Sequence, residues 1–270
     1  MYKRQKEDRE DVLERSLDND IWVINVGSQL STSKRAIEIA EKYEEGVYAI
    51  IGLHPIHLFP QHVEEVEQNL DLDIRSEKFD IDTYRQLAKN KKVVGIGEMG
   101  IDYFHMPAGL DIQEVKKYQK EIFQQGLELA RELDLPVTIH TRPSKNSFDA
   151  YDDVLEVLQK VDYNKCVVHC FSGTLEQAQK FLDFGVLLSF TGIVTFKNAV
   201  EIQELVKVTP LEQMMLETDA PYLAPEPKRG KRNEPSYTKF IAEKIAEIKG
   251  LDFSEVAEVT TNTARAFFRI

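Results

Sequence analysis

The chain has 270 residues, of which 42% are hydrophobic and 30% are charged, so it can bury a sizeable core. Its 34 basic and 46 acidic side chains give a formal net charge of −12, which excludes a protein that coats DNA through a basic surface. It has no apolar run of membrane-spanning length and no signal-like N-terminus, so we expect a cytoplasmic protein without membrane contact.

The predicted elements alternate between helices and short apolar strands. A charged helix over residues 6–17 opens the chain, and seven strand-like runs follow. These runs begin at Ile21, Val47, Val93, Pro136, Cys166, Gly185 and Met214. Amphipathic helical segments lie between them, including the apolar series from Val115 to Leu133, and two further helices end the chain. This alternation predicts an α/β fold with parallel strands.

Two architectures fit this pattern, an open doubly wound sheet and a closed (β/α)8 TIM barrel of about 250 residues. The GIGEMG run from Gly95 does not open a helix, so a dinucleotide site is not expected and the barrel is favoured. We therefore expect residues 1–270 to form a single barrel domain whose first strand is absent. Either Met1 lies just downstream of that strand in a longer natural protein, with about ten more residues upstream, or another segment or chain fills the gap.

Ligand-type side chains lie near the carboxyl ends of five predicted strands, which in a barrel form the active-site face. They are His54, Glu98, His140, His169 and Asp219. Three of them, Glu98, His140 and His169, lie on successive strands that are about 4.8 Å apart. Their side chains can therefore converge on one zinc, manganese or magnesium ion. A hydrogen-bonded core role is the alternative for His54. Glu217 is either a ligand or the hydrogen-bond partner of one.

Several motifs, taken in order, resemble the TatD family of metal-dependent deoxyribonucleases, which belongs to the amidohydrolase-like barrels. The resemblance spans nearly the whole chain. It rests on GLHP at 52–55, GEMGIDY at 97–103, IHTR at 139–142, HCFSG at 169–173, SFTGIVTFK from Ser189, ETDAPYLAP from Glu217 and RGKRNEP from Arg229. Many members also begin with a strand that ends in H-x-H and supplies two further ligands. This sequence has no such motif.

The resemblance implies a set of roles for the metal ligands. Glu98 would bridge two divalent ions, magnesium, manganese or zinc, in each subunit. His140 and His169 would hold one ion, and Asp219 would hold the other and orient the attacking water. A carboxylate at the position of Glu98 favours phosphodiester chemistry.

Basic and aromatic residues near these motifs are candidates for binding DNA. Arg229, Lys231 and Arg232 concentrate positive charge in the loop after the last strand, and Arg142 ends the IHTR motif. A solvated charge run is the alternative for the loop. Two aromatic residues, Tyr103 and Tyr222, either stack on bases or pack in the core.

The expected function is hydrolysis of phosphodiester bonds in DNA by attack of a metal-bound hydroxide, as in a single-strand exonuclease. Asp219 would accept or orient the proton. Two alternatives stay open. The same site could hydrolyse esters or amides, including the bond in a D-aminoacyl-tRNA, or the lack of H-x-H could leave a catalytically impaired barrel that binds nucleic acid or a partner protein.

Overall fold

A computed structural model of the chain describes residues 8–65 and 70–270. Their packing divides the chain into two compact units, which we call the central unit and the terminal unit. The central unit is Ile24–Val168, and the terminal unit combines the described residues up to Val23 with His169–Ile270. The expected single domain stays a prediction. The start of the predicted first helix lies outside the described residues, and the rest of it is present as α1 (Arg9–Leu17).

The central unit alternates strands and helices as predicted. Its strands are β1 (Val23–Val26), β2 (Val47–Ile51), β3 (Gln61–Glu65), β4 (Leu70–Ile74), β5 (Val93–Asp102), β6 (Val137–Arg142) and β7 (Cys166–Val168). The first residue of β1, Val23, is counted with the terminal unit. Its helices are α2 (Leu30–Ala40), α3 (Ile81–Leu87), α4 (Ile112–Leu133) and α5 (Asp149–Val161). Strands β1, β2, β5, β6 and β7 follow one another in a sheet, and the pairings from β2 to β7 are parallel. This confirms the α/β class.

The terminal unit repeats the pattern with fewer strands. Besides α1 it contains α6 (Leu175–Asp183), β8 (Leu187–Phe190), α7 (Val200–Val208), β9 (Met214–Leu216), α8 (Thr238–Lys249) and α9 (Phe253–Phe268). Strands β8 and β9 pair in parallel, with Leu188 opposite Met214 and Phe190 opposite Leu216. Among the helices of residues 8–65 and 70–270, none has the length and apolar composition needed to cross a membrane.

An antiparallel pair of strands, β3 with β4, interrupts the alternation in the central unit, with His62 opposite Asp73. No element is predicted for this stretch. Its second strand reads LDLDI, in which apolar and acidic residues alternate with the two-residue period of a strand. The pair therefore has a local sequence signal, but this signal is not part of the alternation of parallel strands and helices.

Strand β5 contains a bulge that positions the side chain of Glu98. Opposite β6, Ile96 pairs with Val137 but Met99 pairs with Ile139, so β5 has one extra residue at this point. A bulge of this kind turns a side chain away from the regular alternation. The flanking residue Gly97 has φ +143°, and a Cβ there would lie 2.6 Å from a backbone oxygen of β6, so glycine is required.

Candidate metal centre

In the central unit, the carboxylate of Glu98 lies between two imidazole rings. Its Oε1 is 2.9 Å from Nδ1 of His140 and 3.6 Å from Nε2 of His54. One ligand atom from each residue lies within 4.8 Å of the others. Strand β5 supplies Glu98, β6 supplies His140, and the segment after β2 supplies His54. Two imidazoles and a carboxylate form a donor set that suits a divalent ion such as zinc or manganese.

The hydrogen bonds of His54 distinguish it from a metal ligand. Its Nδ1 accepts a hydrogen bond from the backbone N–H of Ile56 at 3.1 Å. The neutral ring therefore carries its proton on Nε2, the nitrogen that faces Glu98. Burial, together with the nearby ring of His140, lowers the pKa of His54 to about 3, so the ring is neutral. This geometry favours a ring that places its Nε2–H beside Glu98 over one that offers a lone pair to a metal.

His140 is held between two carboxylates. Its Nδ1 faces Glu98, and its Nε2 lies 3.2 Å from Oδ2 of Asp102. Burial alone would lower the pKa of His140, but hydrogen bonds to Asp102 and Glu98 raise it to about 9. A carboxylate that accepts a proton from one ring nitrogen fixes how a histidine presents the other nitrogen to a metal. Asp102 is therefore placed to orient His140.

Neither Asp102 nor its neighbour His105 is among the predicted site residues. Asp102 is 1% exposed and accepts hydrogen bonds from the ring of His105 at 2.8 Å and from the backbone N–H of Phe104 at 3.0 Å. Burial opposes ionisation, but bonds from His105 and His140 hold the pKa of Asp102 well below its usual range. Its sequence signal is its place in the GEMGIDY motif, at the end of the strand that carries Glu98.

In the terminal unit, His169 and Glu217 form a second imidazole–carboxylate pair. Nδ1 of His169 is 2.5 Å from Oε2 of Glu217, and Oε1 of Glu217 accepts the backbone N–H of Cys170 at 2.7 Å. With Nδ1 directed to Glu217, Nε2 is the nitrogen that the ring of His169 would present to a metal. This arrangement favours Glu217 as the partner that orients His169 over Glu217 as a direct ligand.

Asp219 follows β9 in the terminal unit and adopts a left-handed backbone conformation, with φ +50°. Aspartate is among the few residues that enter this region readily. The loop is held by Asn233, which is completely buried and whose amide donates to the backbone oxygens of Thr218 at 2.7 Å and Tyr222 at 2.6 Å. Asn233 belongs to the RGKRNEP motif, and its contacts show that part of this motif positions the loop that carries Asp219.

The two aromatic candidates and Arg142 have different surroundings. Tyr103 is 2% exposed, and its hydroxyl donates to Asp153 at 2.6 Å, which favours core packing over base stacking. Tyr222 is partly buried, and a stacking role for it stays a prediction. The guanidinium carbon of Arg142 lies 4.1 Å from the ring centroid of Phe104.

The basic loop after β9 divides into two parts. Arg232 forms two hydrogen bonds with Asp8, at 2.9 and 2.5 Å, and lies 3.6 Å from Glu234. These contacts connect the loop to the residue before α1 and favour a structural role for Arg232. The guanidinium of Arg229 instead lies 4.1 Å from the ring centroid of Phe196, and Lys231 is exposed. The expected contacts of Arg229 and Lys231 with phosphate stay predictions.

Comparison with known proteins places the chain among metal-dependent hydrolases. The family model described as TatD related DNase matches residues 1–269. The uncharacterized metal-dependent hydrolase YabD of Bacillus subtilis is 39% identical over 97% of this chain and 93% of its own length. The uncharacterized metal-dependent hydrolase YcfH of Escherichia coli K12 is 33% identical over 100% of this chain and 91% of its own.

A solved structure supports the same assignment. The crystal structure of YJJV, a TatD homolog from Escherichia coli K12, superposes with a TM-score of 0.79 and 26% identity, covering 97% of this chain and 92% of that one. The predicted TIM-barrel class and the resemblance to TatD proteins are thereby confirmed. The chain belongs to the TatD family and is a metal-dependent hydrolase with a TIM-barrel-like α/β fold.

Proposed function

We propose that this hydrolase cleaves phosphodiester bonds in DNA and acts as an exonuclease on single strands. The observation that carries the proposal is the carboxylate of Glu98, which the bulge in β5 places between the rings of His54 and His140. A carboxylate in such a position can serve two divalent ions, and two-metal sites are a common solution for phosphodiester hydrolysis. The description of the matching family as TatD related DNase supports the same substrate.

In this proposal the metal ligands are the residues that the TatD resemblance implies, namely Glu98, His140, His169 and Asp219. The ions, two per subunit, are magnesium, manganese or zinc. When bound, they supply Lewis acidity, which lowers the pKa of water toward about 7 and offsets the charge of the phosphate.

The remaining tasks belong to the protein's own side chains. Asp102 orients the ring of His140, and Glu217 orients that of His169. Nε2 of His54 lies 3.6 Å from Oε1 of Glu98, the carboxylate oxygen that also faces His140. The carboxylate of Asp219 accepts or orients the proton of the attacking water. Arg142 supplies a cation for a phosphate of the substrate, to which a guanidinium can donate two hydrogen bonds.

The test is a direct comparison of two substrates. A 3′-labelled single-stranded DNA and a D-aminoacyl-tRNA are incubated with the protein in magnesium, manganese, zinc or EDTA. We expect mononucleotide release from the DNA that requires metal and stops in EDTA. Faster turnover of the aminoacyl-tRNA would contradict the proposal and support an ester hydrolase. Turnover of neither, with no metal retained after loading with excess ion, would support a binding protein without catalysis.

A further inference from the structure

The turn after β5 presents an exposed aromatic side chain, that of Phe104. Phe104 is 47% exposed, whereas Tyr103, the predicted stacking residue in the same turn, is 2% exposed. Burying a phenylalanine ring stabilises a fold, so the exposure of Phe104 gives up part of that stabilisation. In the described part of this turn, Phe104 is therefore the aromatic side chain that a ligand can reach.

The ring of Phe104 is held in place from two directions. The guanidinium carbon of Arg142 lies 4.1 Å from its centroid, and the ring of His105 meets it edge-on with centroids 5.1 Å apart. The backbone N–H of Phe104 donates to Oδ1 of the buried Asp102 at 3.0 Å. An exposed aromatic ring fixed by such contacts loses little further freedom when a ligand stacks on it.

The same contacts connect Phe104 to the candidate metal centre. The second carboxylate oxygen of Asp102 is 3.2 Å from Nε2 of His140, so one buried side chain orients both the histidine and the turn that carries Phe104. Arg142 is two residues beyond His140 on the same face of β6, which is about 6.6 Å along the strand. All these residues belong to the central unit.

We propose that Phe104 and Arg142 form a stacking platform for a base of single-stranded DNA, beside the phosphate that the metal centre would cleave. This inference rests on the proposed function and adds how the substrate is recognised. An aromatic face stacks on any base, and a guanidinium contributes both charge and a planar surface, so recognition is tolerant of sequence. A nucleotide matches the pair because it combines a flat base with an anionic phosphate. Base-paired DNA does not, because its bases are stacked on each other.

The platform is tested by removing either the ring or the bases. Binding of a fluorescein-labelled oligothymidylate is compared with that of the same backbone carrying abasic sites, by fluorescence anisotropy in EDTA so that no cleavage is needed. We expect wild-type protein to bind the thymidylate about tenfold more tightly than the abasic strand. Phe104→Ala should remove this preference and leave binding of the abasic strand unchanged, while Phe104→Trp should retain the preference.

The matched control is Phe148→Ala, because Phe148 is 45% exposed in the same unit but lies in another segment. It should keep the wild-type preference. A preference that survives in Phe104→Ala, or that Phe148→Ala loses equally, would overturn the platform. Metal-dependent cleavage of both strands at equal rates, unaffected by Phe104→Ala, would refute the platform and leave the proposed nuclease. Binding that depends on Phe104, without any DNA cleavage, would support the platform and contradict the proposed nuclease.

Discussion

The two histidine–carboxylate groups of this protein use the same residue types in different arrangements. In the central unit, His140 has a carboxylate on each ring nitrogen, and its pKa is raised to about 9. In the terminal unit, Nδ1 of His169 faces one carboxylate, that of Glu217. The ring of His140 must therefore lose a proton before it binds a metal, whereas the contact of Nδ1 of His169 with Glu217 makes Nε2 the nitrogen that this ring would present to a metal.

The groups also share a construction that explains how each ring is fixed. Asp102 accepts from the ring of His140 and from the backbone of the next turn at Phe104. Glu217 accepts from the ring of His169 and from the backbone N–H of Cys170. In both cases one carboxylate connects a metal-binding side chain to local backbone. The comparison indicates that these two outer carboxylates, Asp102 and Glu217, fix the orientation of the histidine rings.

The largest expected effect separates Glu98 from its neighbour His54. Glu98→Ala should lower metal-dependent turnover by at least about 100-fold, because it removes a carboxylate ligand of the proposed centre. Metal content, measured by atomic spectrometry after dialysis, should fall with it. In His54→Gln, metal content should stay near the wild-type value, since His54 supports Glu98 and is not a ligand in this geometry. Equal loss of metal in the two variants would make His54 a ligand.

The second prediction concerns pH and uses the raised pKa of His140. Metal must displace its proton, so the affinity for metal should rise by up to tenfold per pH unit well below pH 9, and by about 50-fold between pH 7 and pH 9. In chelator-treated protein the raised pKa adds stability that is present below pH 6.5 and is lost as pH rises toward 9.

Calorimetric titration with zinc or manganese, in buffers of different ionisation enthalpy, measures the protons released at each pH. About one proton per chain from this ring at pH 7, declining above pH 9, is the expected result. Proton release that is the same at pH 7 and pH 10 would show that His140 does not carry the proton assigned to it.

Two amide substitutions test whether the outer carboxylates are equivalent. Asp102→Asn and Glu217→Gln should each lower metal affinity about 10- to 100-fold, which is typical for groups that orient a metal-bound histidine. Only Asp102→Asn should reduce proton release, because Asp102 raises the pKa of His140, whereas Glu217 is bonded to His169. If Glu217→Gln lost as much bound metal as Glu98→Ala, Glu217 would be identified as a metal ligand.

The smallest effects are expected in the basic loop of the terminal unit. Lys231→Ala should weaken DNA binding uniformly and reduce the slope of log affinity against log salt by about 1. Arg232→Ala should lower the melting temperature and change that slope less, because Arg232 is paired with Asp8 and Glu234. Salt titrations of DNA binding give the slope for each variant, and thermal melts give the melting temperature. Equal salt slopes in both would restore Arg232 as a phosphate ligand.

Much of the fold follows from sequence pattern. The alternation of apolar runs and amphipathic helices predicts the strands of the sheet, because burial on both faces favours continuous apolar runs in parallel strands. The β3–β4 pair is not predicted, since its signal is a short polar–apolar alternation. The residue types of the metal centre are also evident, because imidazole and carboxylate side chains recur at strand ends.

By itself, the sequence determined the α/β class and the family motifs, and it predicted Glu98, His140, His169 and Asp219 as metal ligands. Tertiary structure decided which ring nitrogen carries a proton, that Asp102 orients His140, and that Phe104 is exposed while Tyr103 is buried. The reason is physical. Residue type and spacing are properties of a local segment, whereas proton position and exposure depend on neighbours such as Ile56 or Arg142 that only the folded backbone brings to a given atom.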